Sequence, residues 1–262
     1  MAVIEWKSFL IPYDQAVEEL KVKFRSIRKE LRRKKEYSPI EFVTGRVKEV
    51  SSILEKANKF DIPIDRIQYE MEDIAGIRIM CQFVDDIDKV VNIIRGRRDM
   101  QIIYEKDYIT NVKSSGYRSY HIIIKYPVNM SEGMCEVLAE FQIRTLAMNF
   151  WATVEHSLNY KYKHDIPGDI RVKLKNAADA AFNLDEEMLN IKDEIKDAQK
   201  LFEVKSSIVS NIVENILTLS SQGKIGEASR FTGELNKLIE VGEVFELTKL
   251  LEETKRVLDR YK

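Results

Sequence analysis

The segment Glu140-Phe-Gln-Ile-Arg-Thr-Leu-Ala-Met-Asn149 concentrates a carboxylate, two amides and a guanidinium in an otherwise apolar stretch. Val137, Ala139 and Phe141 alternate with Leu138, Glu140 and Gln142, the period of a strand with one polar face. The pattern then turns helical with no Gly or Pro between. Leu146, Phe150, Val154 and Leu158 fall at four-residue steps and predict a buried helical stripe. A carboxylate at such a strand end, with Gln142, Arg144, Asn149 and His156 nearby, suits metal or proton chemistry. An amphipathic helix with a rich polar face would carry the same residues. His156 reads as structural or supporting.

A second acid, Asp73, opens Asp73-Ile-Ala-Gly-Ile-Arg78, also next to a strand pattern. Two acids at the ends of different strands match the needs of Mg²⁺, which takes few protein oxygens and fills its shell with phosphates and water. The chain contains neither G-x-x-x-x-G-K-S/T nor G-x-G-x-x-G, so nucleotide phosphates would have to be met by Lys and Arg side chains. Arg46, Lys48, Lys56, Lys59, Arg78, Arg97, Lys106 and Lys113 are the candidates. Lys113-Ser-Ser-Gly-Tyr-Arg-Ser-Tyr-His121 leads into an apolar strand, and Tyr117 after its glycine is well placed to present an aromatic face. Gln142 and Asn149 are suited to hold base or ribose edges.

These residues need a frame. Val17, Leu20, Phe24, Ile27 and Leu31 give a first helix its apolar stripe, with Lys21, Arg25, Arg28 and Arg32-Arg-Lys-Lys35 on other faces. Ser38-Pro39-Ile40-Glu41 reads as a capping box, predicting a second helix with Ile40, Val43, Val47, Val50, Leu54 and Ala57 inside. Strands are expected over 71–83, 101–109, 120–126 and 134–143, a helix over 85–98 and a turn over 127–133. The expected fold is mixed α/β: a mixed β-sheet flanked by helices, then a long C-terminal helix and an all-α C-terminal extension. From Ile170 through Leu174, Ala177, Ala181, Leu184, Met188, Ile191, Ile195 and Ala198 to Phe202 the spacing is a heptad seam. It is expected to bury against the first helix or another subunit. The division falls into 1–203 and a helical extension, 204–262, with helices over 206–219, 224–239 and 243–261.

Lys plus Arg number 42 and Asp plus Glu 43, so anions must be met by local clustering and not by bulk charge. Two cysteines and three histidines give no zinc spacing or disulfide framework. No apolar run reaches the roughly 20 residues of a membrane span, and no secretory leader pattern is present; a reducing cytoplasm is expected.

The segments Ser38–Lys48, Asp73–Arg78, Lys113–His121 and Glu140–His156 together resemble the synthetase domain of the RelA/SpoT family, (p)ppGpp synthetases with a nucleotidyltransferase-like fold. The resemblance covers roughly the first two hundred residues and is closest to the small alarmone synthetases of the RelQ type. It implies transfer of the β,γ-pyrophosphate of ATP to the 3′-hydroxyl of GDP or GTP. It makes Asp73 the magnesium aspartate and Glu140 the essential glutamate, in contact with metal and with the 3′-hydroxyl. It sets Tyr117 against the guanine and Lys113, Ser115 and His121 around the acceptor's phosphates and ribose. Arg46, Lys48, Lys56, Lys59, Arg78 and Lys106 would serve ATP, with Lys59 where Arg is commoner. It further implies a homotetramer with an allosteric (p)ppGpp site matching Lys21, Arg25, Arg28, Glu41, Phe42, Thr44 and Asn149, Arg25 standing where Lys is commoner. An upstream hydrolase domain is not expected, only Tyr37 and earlier residues preceding the synthetase motif, and His164-Asp165 has no histidine cluster around it. Two other readings share these residues: a binding module for nucleotides or single-stranded RNA, and an AMP-transferring nucleotidyltransferase.

Overall fold

The computed structural model describes residues 5–161, 167–241 and 243–261. His164-Asp165 lies outside them. The chain divides into two compact units, Met1–Leu189 and Asn190–Lys262. That division falls inside a helix, earlier than the Val204 boundary read from composition.

The first unit is built on a five-stranded sheet in the order β1-β2-β5-β4-β3. Its strands are β1 (Phe42–Val47), β2 (Ala75–Cys81), β3 (Gln101–Asp107), β4 (Tyr120–Met130) and β5 (Gly133–Thr145). β2 and β5 run parallel; every other neighbouring pair is antiparallel. The helices of this unit are α1 (Trp6–Arg33), α2 (Val50–Lys59), the single turn α3 (Ile67–Glu70), α4 (Asp85–Arg95), α5 (Leu146–Lys161) and the start of α6 (Gly168–Ser221).

Strand alternation gives the sheet two unlike faces. Ile77 and Ile79 on β2, Ile122 and Ile124 on β4 and Phe141 and Ile143 on β5 are buried in one core. α1 supplies Tyr13, Ala16, Val17, Leu20 and Phe24 to that core at helical spacing, and α4 supplies Ile87, Val90, Val91 and Ile94. Phe24 meets Phe141 edge-on, with ring centroids 5.0 Å apart. α1 comes this close because residue 45 is glycine. A Cβ there would stand 2.8 Å from Val17 Cγ1 and 3.0 Å from Lys21 Cδ.

The intervening residues line the other face. Register carries a row across the whole sheet: Thr44 opposite Arg78, Arg78 opposite Gln142, Gln142 opposite His121, His121 opposite Lys106. The adjacent row runs Arg46, Gly76, Glu140, Ile123, Tyr104. A polar sheet face of this kind is a site, not a core.

Several expectations are corrected. The helix expected to open at Ser38 is strand β1, and α2 begins only at Val50. Glu41 makes no cap; it bonds Arg28 and Gln82. Phe-Val-Thr-Gly-Arg-Val favours a strand through its β-branched residues, and the open edge of β2 gives its backbone partners that a local helix would have to outcompete. The expected turn at 127–133 shrinks to Ser131-Glu132, because β4 and β5 stay paired as far as Met130 and Gly133. Pro127 is tolerated within β4 because β3 stops pairing at Lys125, leaving the proline at a sheet edge.

The stripe expected to bury α5 faces outward: Leu146, Phe150 and Val154 are exposed, Phe150 by 72%. Met148, Trp151 and Ala152 are the buried residues instead. Of the α6 seam, this unit's single chain covers only part. Ala178 and Asp185 are buried, whereas Ile170, Leu184 and Met188 are exposed.

The second unit has its own core. Ile212, Ile216 and Leu219 of α6 pack with Ala228, Phe231 and Leu235 of α7 (Ile225–Val241) and with Leu247, Leu250 and Leu258 of α8 (Val244–Asp259). Here the seam residues Ile191, Ile195 and Phe202 are exposed. Asn215 donates to Thr254 at 2.9 Å inside this bundle. α8 starts at a reciprocal capping box between Glu243 and Glu246. Among the described residues no helix is long and apolar enough to cross a membrane.

Candidate active site

The polar face carries a continuous chain of short hydrogen bonds. Glu140 Oε1 lies 2.7 Å from His121 Nδ1, and His121 Nε2 lies 2.8 Å from the Tyr117 hydroxyl. Gln142 Nε2 donates to Glu140 Oε2 at 2.7 Å. Arg144 Nη2 donates to the Tyr117 hydroxyl at 2.6 Å and to Gln142 Oε1 at 2.8 Å, and Arg144 Nε donates to Ser119 Oγ at 3.1 Å. His121 Nδ1 donates its proton to the Glu140 carboxylate, and Nε2 bonds the Tyr117 hydroxyl. The phenol in turn accepts from Arg144. Every link fixes the next, so Tyr117 and Glu140 are held as one unit.

Burial alone would raise the Glu140 carboxyl. The bond from His121 and its charge, with the bond from Gln142, outweigh burial and hold it below the ordinary carboxylate range. The charge of Asp73 pushes it the other way, so the two acids lie close enough to feel each other. β-pairing explains this. β2 begins beside the middle of β5, with Ala75 opposite Ala139 and Gly76 opposite Glu140. Asp73, just before β2, is thereby delivered next to a glutamate in mid-strand. Glu140 is thus not at a strand end, as its sequence context suggested.

Asp73 is gripped by two lysines: Lys48 Nζ is 2.7 Å from Oδ2 and Lys56 Nζ is 2.9 Å from Oδ1. Burial raises its pKa, but the two ammonium groups hold it below the ordinary value. Lys48 arrives just after β1 and Lys56 on the α2 face turned inward beside Ile53 and Ala57.

Around these acids stand cations with no carboxylate ion pair among the described residues: Arg46, Arg78, Arg144 and Lys113. Burial lowers the pKa of Arg78, and Arg144 and Arg46 repel it further. Burial also lowers Lys113, whose ammonium sits 4.3 Å from the Tyr108 ring centre and 4.8 Å from that of Tyr117. Arg78 and Arg144 are at least partly buried and Arg46 and Lys113 exposed, and such mutually repelling cations are stabilised by a bound polyanion.

The sequence-read candidates do not all converge. Asp73, Lys48 and Lys56 form one cluster; Glu140, His121, Tyr117, Gln142 and Arg78 form the adjoining one. Lys106 lies beside His121 in register, and its ammonium bonds Tyr104 Oη at 3.0 Å. Ser115 Oγ accepts from the Tyr117 backbone N–H at 3.4 Å. Lys59 is exposed, with its ammonium 5.7 Å from the Phe60 ring, outside the network. Asn149 on α5 keeps a buried Oδ1 with no hydrogen-bond partner.

Of the second group, Arg25, Arg28, Phe42 and Thr44 line a cavity of about 700 Å³ together with Lys29, Arg32, Arg33 and Val43. Glu41 borders it through its 3.0 Å pair with Arg28. Lys21 pairs instead with Glu18, and Asn149 is not among the lining residues. Arg144 is the functional-face residue that sequence reasoning left without a role. It is only 5% exposed and sits two positions past Gln142 and four past Glu140, the same-face spacing of a strand.

A protein-family model described as the region found in RelA / SpoT proteins matches residues 45–165. The chain is 54% identical over 201 residues to GTP pyrophosphokinase YjbM of Bacillus subtilis, covering 77% of this chain and 95% of that one. Its fold is similar to the small alarmone synthetase 1 of Bacillus subtilis bound to its product pppGpp, with TM-score 0.71 and 55% identity over 73% of this chain and 98% of that one. A GTP pyrophosphokinase family protein from Streptococcus pneumoniae is similar at TM-score 0.72 and 55% identity, over 76% of this chain and 98% of that one. With a mixed sheet of the same architecture and its acids, cations and tyrosine on one face, the chain belongs to the RelA/SpoT family, among its small alarmone synthetases.

Proposed function

We propose that the chain is a GTP pyrophosphokinase that moves the β,γ-pyrophosphate of ATP to the 3′-hydroxyl of GDP or GTP, giving AMP and ppGpp or pppGpp. One observation carries this reading: an ionised glutamate locked to a histidine–tyrosine pair lies beside a lysine-clamped aspartate, among cations that form no carboxylate ion pair among the described residues.

Two polyanions must be brought together, so neutralisation and positioning carry most of the barrier. Lys48, Lys56, Arg46 and Arg78 receive the donor's phosphates, with Lys106 and Lys59 at the margin. Tyr117 offers its ring to the guanine, flanked by Lys113, Ser115 and His121. Gln142 and Asn149 are the amides for base or ribose. Glu140, held ionised, orients the 3′-hydroxyl and accepts its proton as the new P–O bond forms. A carboxylate below its ordinary pKa is a weak base, which puts more of the burden on alignment.

Asp73 and Glu140 would hold Mg²⁺. Their donor set suits it: two carboxylates, with Asp73 Oδ1 buried and outside hydrogen-bonding geometry even to the nearby Lys56. When bound, the ion would neutralise donor phosphate charge.

The arginine-lined cavity at α1 and β1 supports a second anion site, read as allosteric (p)ppGpp activation. The outward apolar residues of α5 support association of copies, read as a homotetramer. Free Cys81 and Cys135 and ATP-dependent chemistry support a cytoplasmic location. Single-stranded RNA remains a candidate ligand of the basic α1 face. The test is product analysis with ATP paired in turn with GMP, GDP and GTP. Guanosine products carrying an added pyrophosphate are expected with GDP and GTP. Unchanged guanine nucleotides beside AMP-adducted products would refute the reading.

A further inference from the structure

We propose that the first half of α6 is a positioning wall for the Tyr117 loop, with Ala178, Arg118 and Asp185 fixing where that ring stands for the guanine nucleotide. This rests on the reading of Tyr117 as the acceptor-facing residue.

The loop backbone lies directly on α6. Gly116 has φ +87°, and a Cβ there would stand 2.6 Å from Ala178 Cβ, with Lys175 O at 3.6 Å. Both positions must be small for the loop to reach this helix. Arg118, one residue past the tyrosine, ties the two together. Its Nη1 donates to Gly116 O at 3.3 Å and to Ala178 O at 3.4 Å, and its Nη2 to Asp179 Oδ1 at 3.4 Å. Its guanidinium lies 4.3 Å from the centre of the Phe182 ring. Each bond is long for its type, so direction comes from their number and from the stacked plane. Trp151, whose ring centre is 6.5 Å from that of Tyr117, donates its Nε1 to Leu174 O at 2.8 Å.

The hydroxyl end of the tyrosine is held from the same helix. Asp185, 4% exposed, accepts from Thr145 Oγ1 at 2.6 Å. Thr145 Oγ1 in turn accepts from the Met148 backbone N–H at 3.1 Å, fixing the junction of β5 and α5. Arg144, the next residue back, holds the Tyr117 hydroxyl. The ring is thus set at its backbone by Ala178 and Arg118 and at its hydroxyl by Asp185 through Thr145 and Arg144. None of these three residues has to touch nucleotide; they spare the loop an ordering cost on binding.

The test uses the full chain with Ala178→Leu, Arg118→Ala and Asp185→Ala, each checked for an intact thermal transition, with Ala178→Ser and Asp185→Asn as conservative partners. KM for GDP and KM for ATP are measured separately, and GDP binding is measured by titration calorimetry. The disruptive variants are expected to raise KM for GDP and its dissociation constant about 10-fold or more, with KM for ATP within about 2-fold. The conservative partners are expected to stay near wild type. Where one disruptive variant fails to fold, the other two decide. Equal changes in both KM values, or no change in either, overturn the wall. Failure of the wild-type chain to bind GDP overturns the reading of Tyr117 and the wall with it.

Discussion

Glu140→Gln is the perturbation that separates the proposed chemistry from mere nucleotide binding. The amide keeps the shape and leaves one oxygen to accept from His121 Nδ1, now 2.7 Å from Oε1. It removes the negative charge, and it turns the contact with Gln142 Nε2, now 2.7 Å, into one of two amide nitrogens unless a side chain flips. Loss of a general base and its alignment is expected to cost about 10²- to 10⁴-fold in turnover, or about 3 to 5 kcal/mol in the barrier. Loss of the charged hydrogen bonds is expected to cost stability only about 1–3 kcal/mol. That corresponds to a melting shift of roughly 2–12 °C for a unit of this size. Binding of GDP should fall little, because the cations and Tyr117 remain. The assay is initial-rate formation of the guanosine product at saturating ATP and GDP, beside a melting curve and a GDP titration. A folded Glu140→Gln variant that turns over within about 3-fold of wild type would refute the role given to this carboxylate.

Three further outcomes follow from named contacts. Asp73→Asn leaves Lys48 and Lys56 facing each other without an anion; turnover should drop at least about 100-fold, and added Mg²⁺ should not restore it, whereas chelation of wild type should be reversed by Mg²⁺. Gly45→Ala forces α1 off β1 by the 2.8 Å approach to Val17 and should destabilise by about 1–3 kcal/mol, read as a lowered urea midpoint. The pKa of Asp185 is pushed up to about 6, chiefly by burial and then by Glu186, against the bond from Thr145 and the charge of Arg118. Folded protein therefore holds this proton more tightly than unfolded chain. Stability from this group is full below about pH 4 and falls as pH rises to about 6. Asp185→Asn should remove that slope and match or exceed wild-type stability at pH 7, by up to about 3 kcal/mol. An unchanged slope between pH 4 and 6 would contradict the assignment.

The site was more legible than the elements around it. Period-two alternation from Val137 to Gln142 gave β5 and its polar face, and extending it two residues would have included Arg144. Asp73 and Tyr117 came from motifs whose meeting depends on register: β2 starting opposite Ala139 is a long-range fact that no local pattern carries. β1 was misread because Ser-Pro-Ile-Glu imitates a helix start. The deciding term there is the unpaired edge of β2, whose partner residues lie 28 to 38 positions away. The apolar stripe of α5 was real in spacing but does not meet the sheet of its own chain. Spacing says that a helix has an apolar face; which face packs inward is set on α5 by Met148, Trp151 and Ala152, residues that local periodicity ranks no higher than their neighbours. The cations on the polar face were recognisable as candidates, while their separation into an Asp73 cluster and a Glu140 cluster needed coordinates.

The central claim is that this polar face transfers a pyrophosphoryl group intact. The most direct measurement gives the chain GDP with ATP labelled with ³²P at the γ position in one reaction and at the α position in another. The account predicts label on the guanosine product from γ-labelled ATP and label in free AMP from α-labelled ATP. Label from the α position appearing on the guanosine nucleotide, or γ label released only as inorganic phosphate, would contradict it.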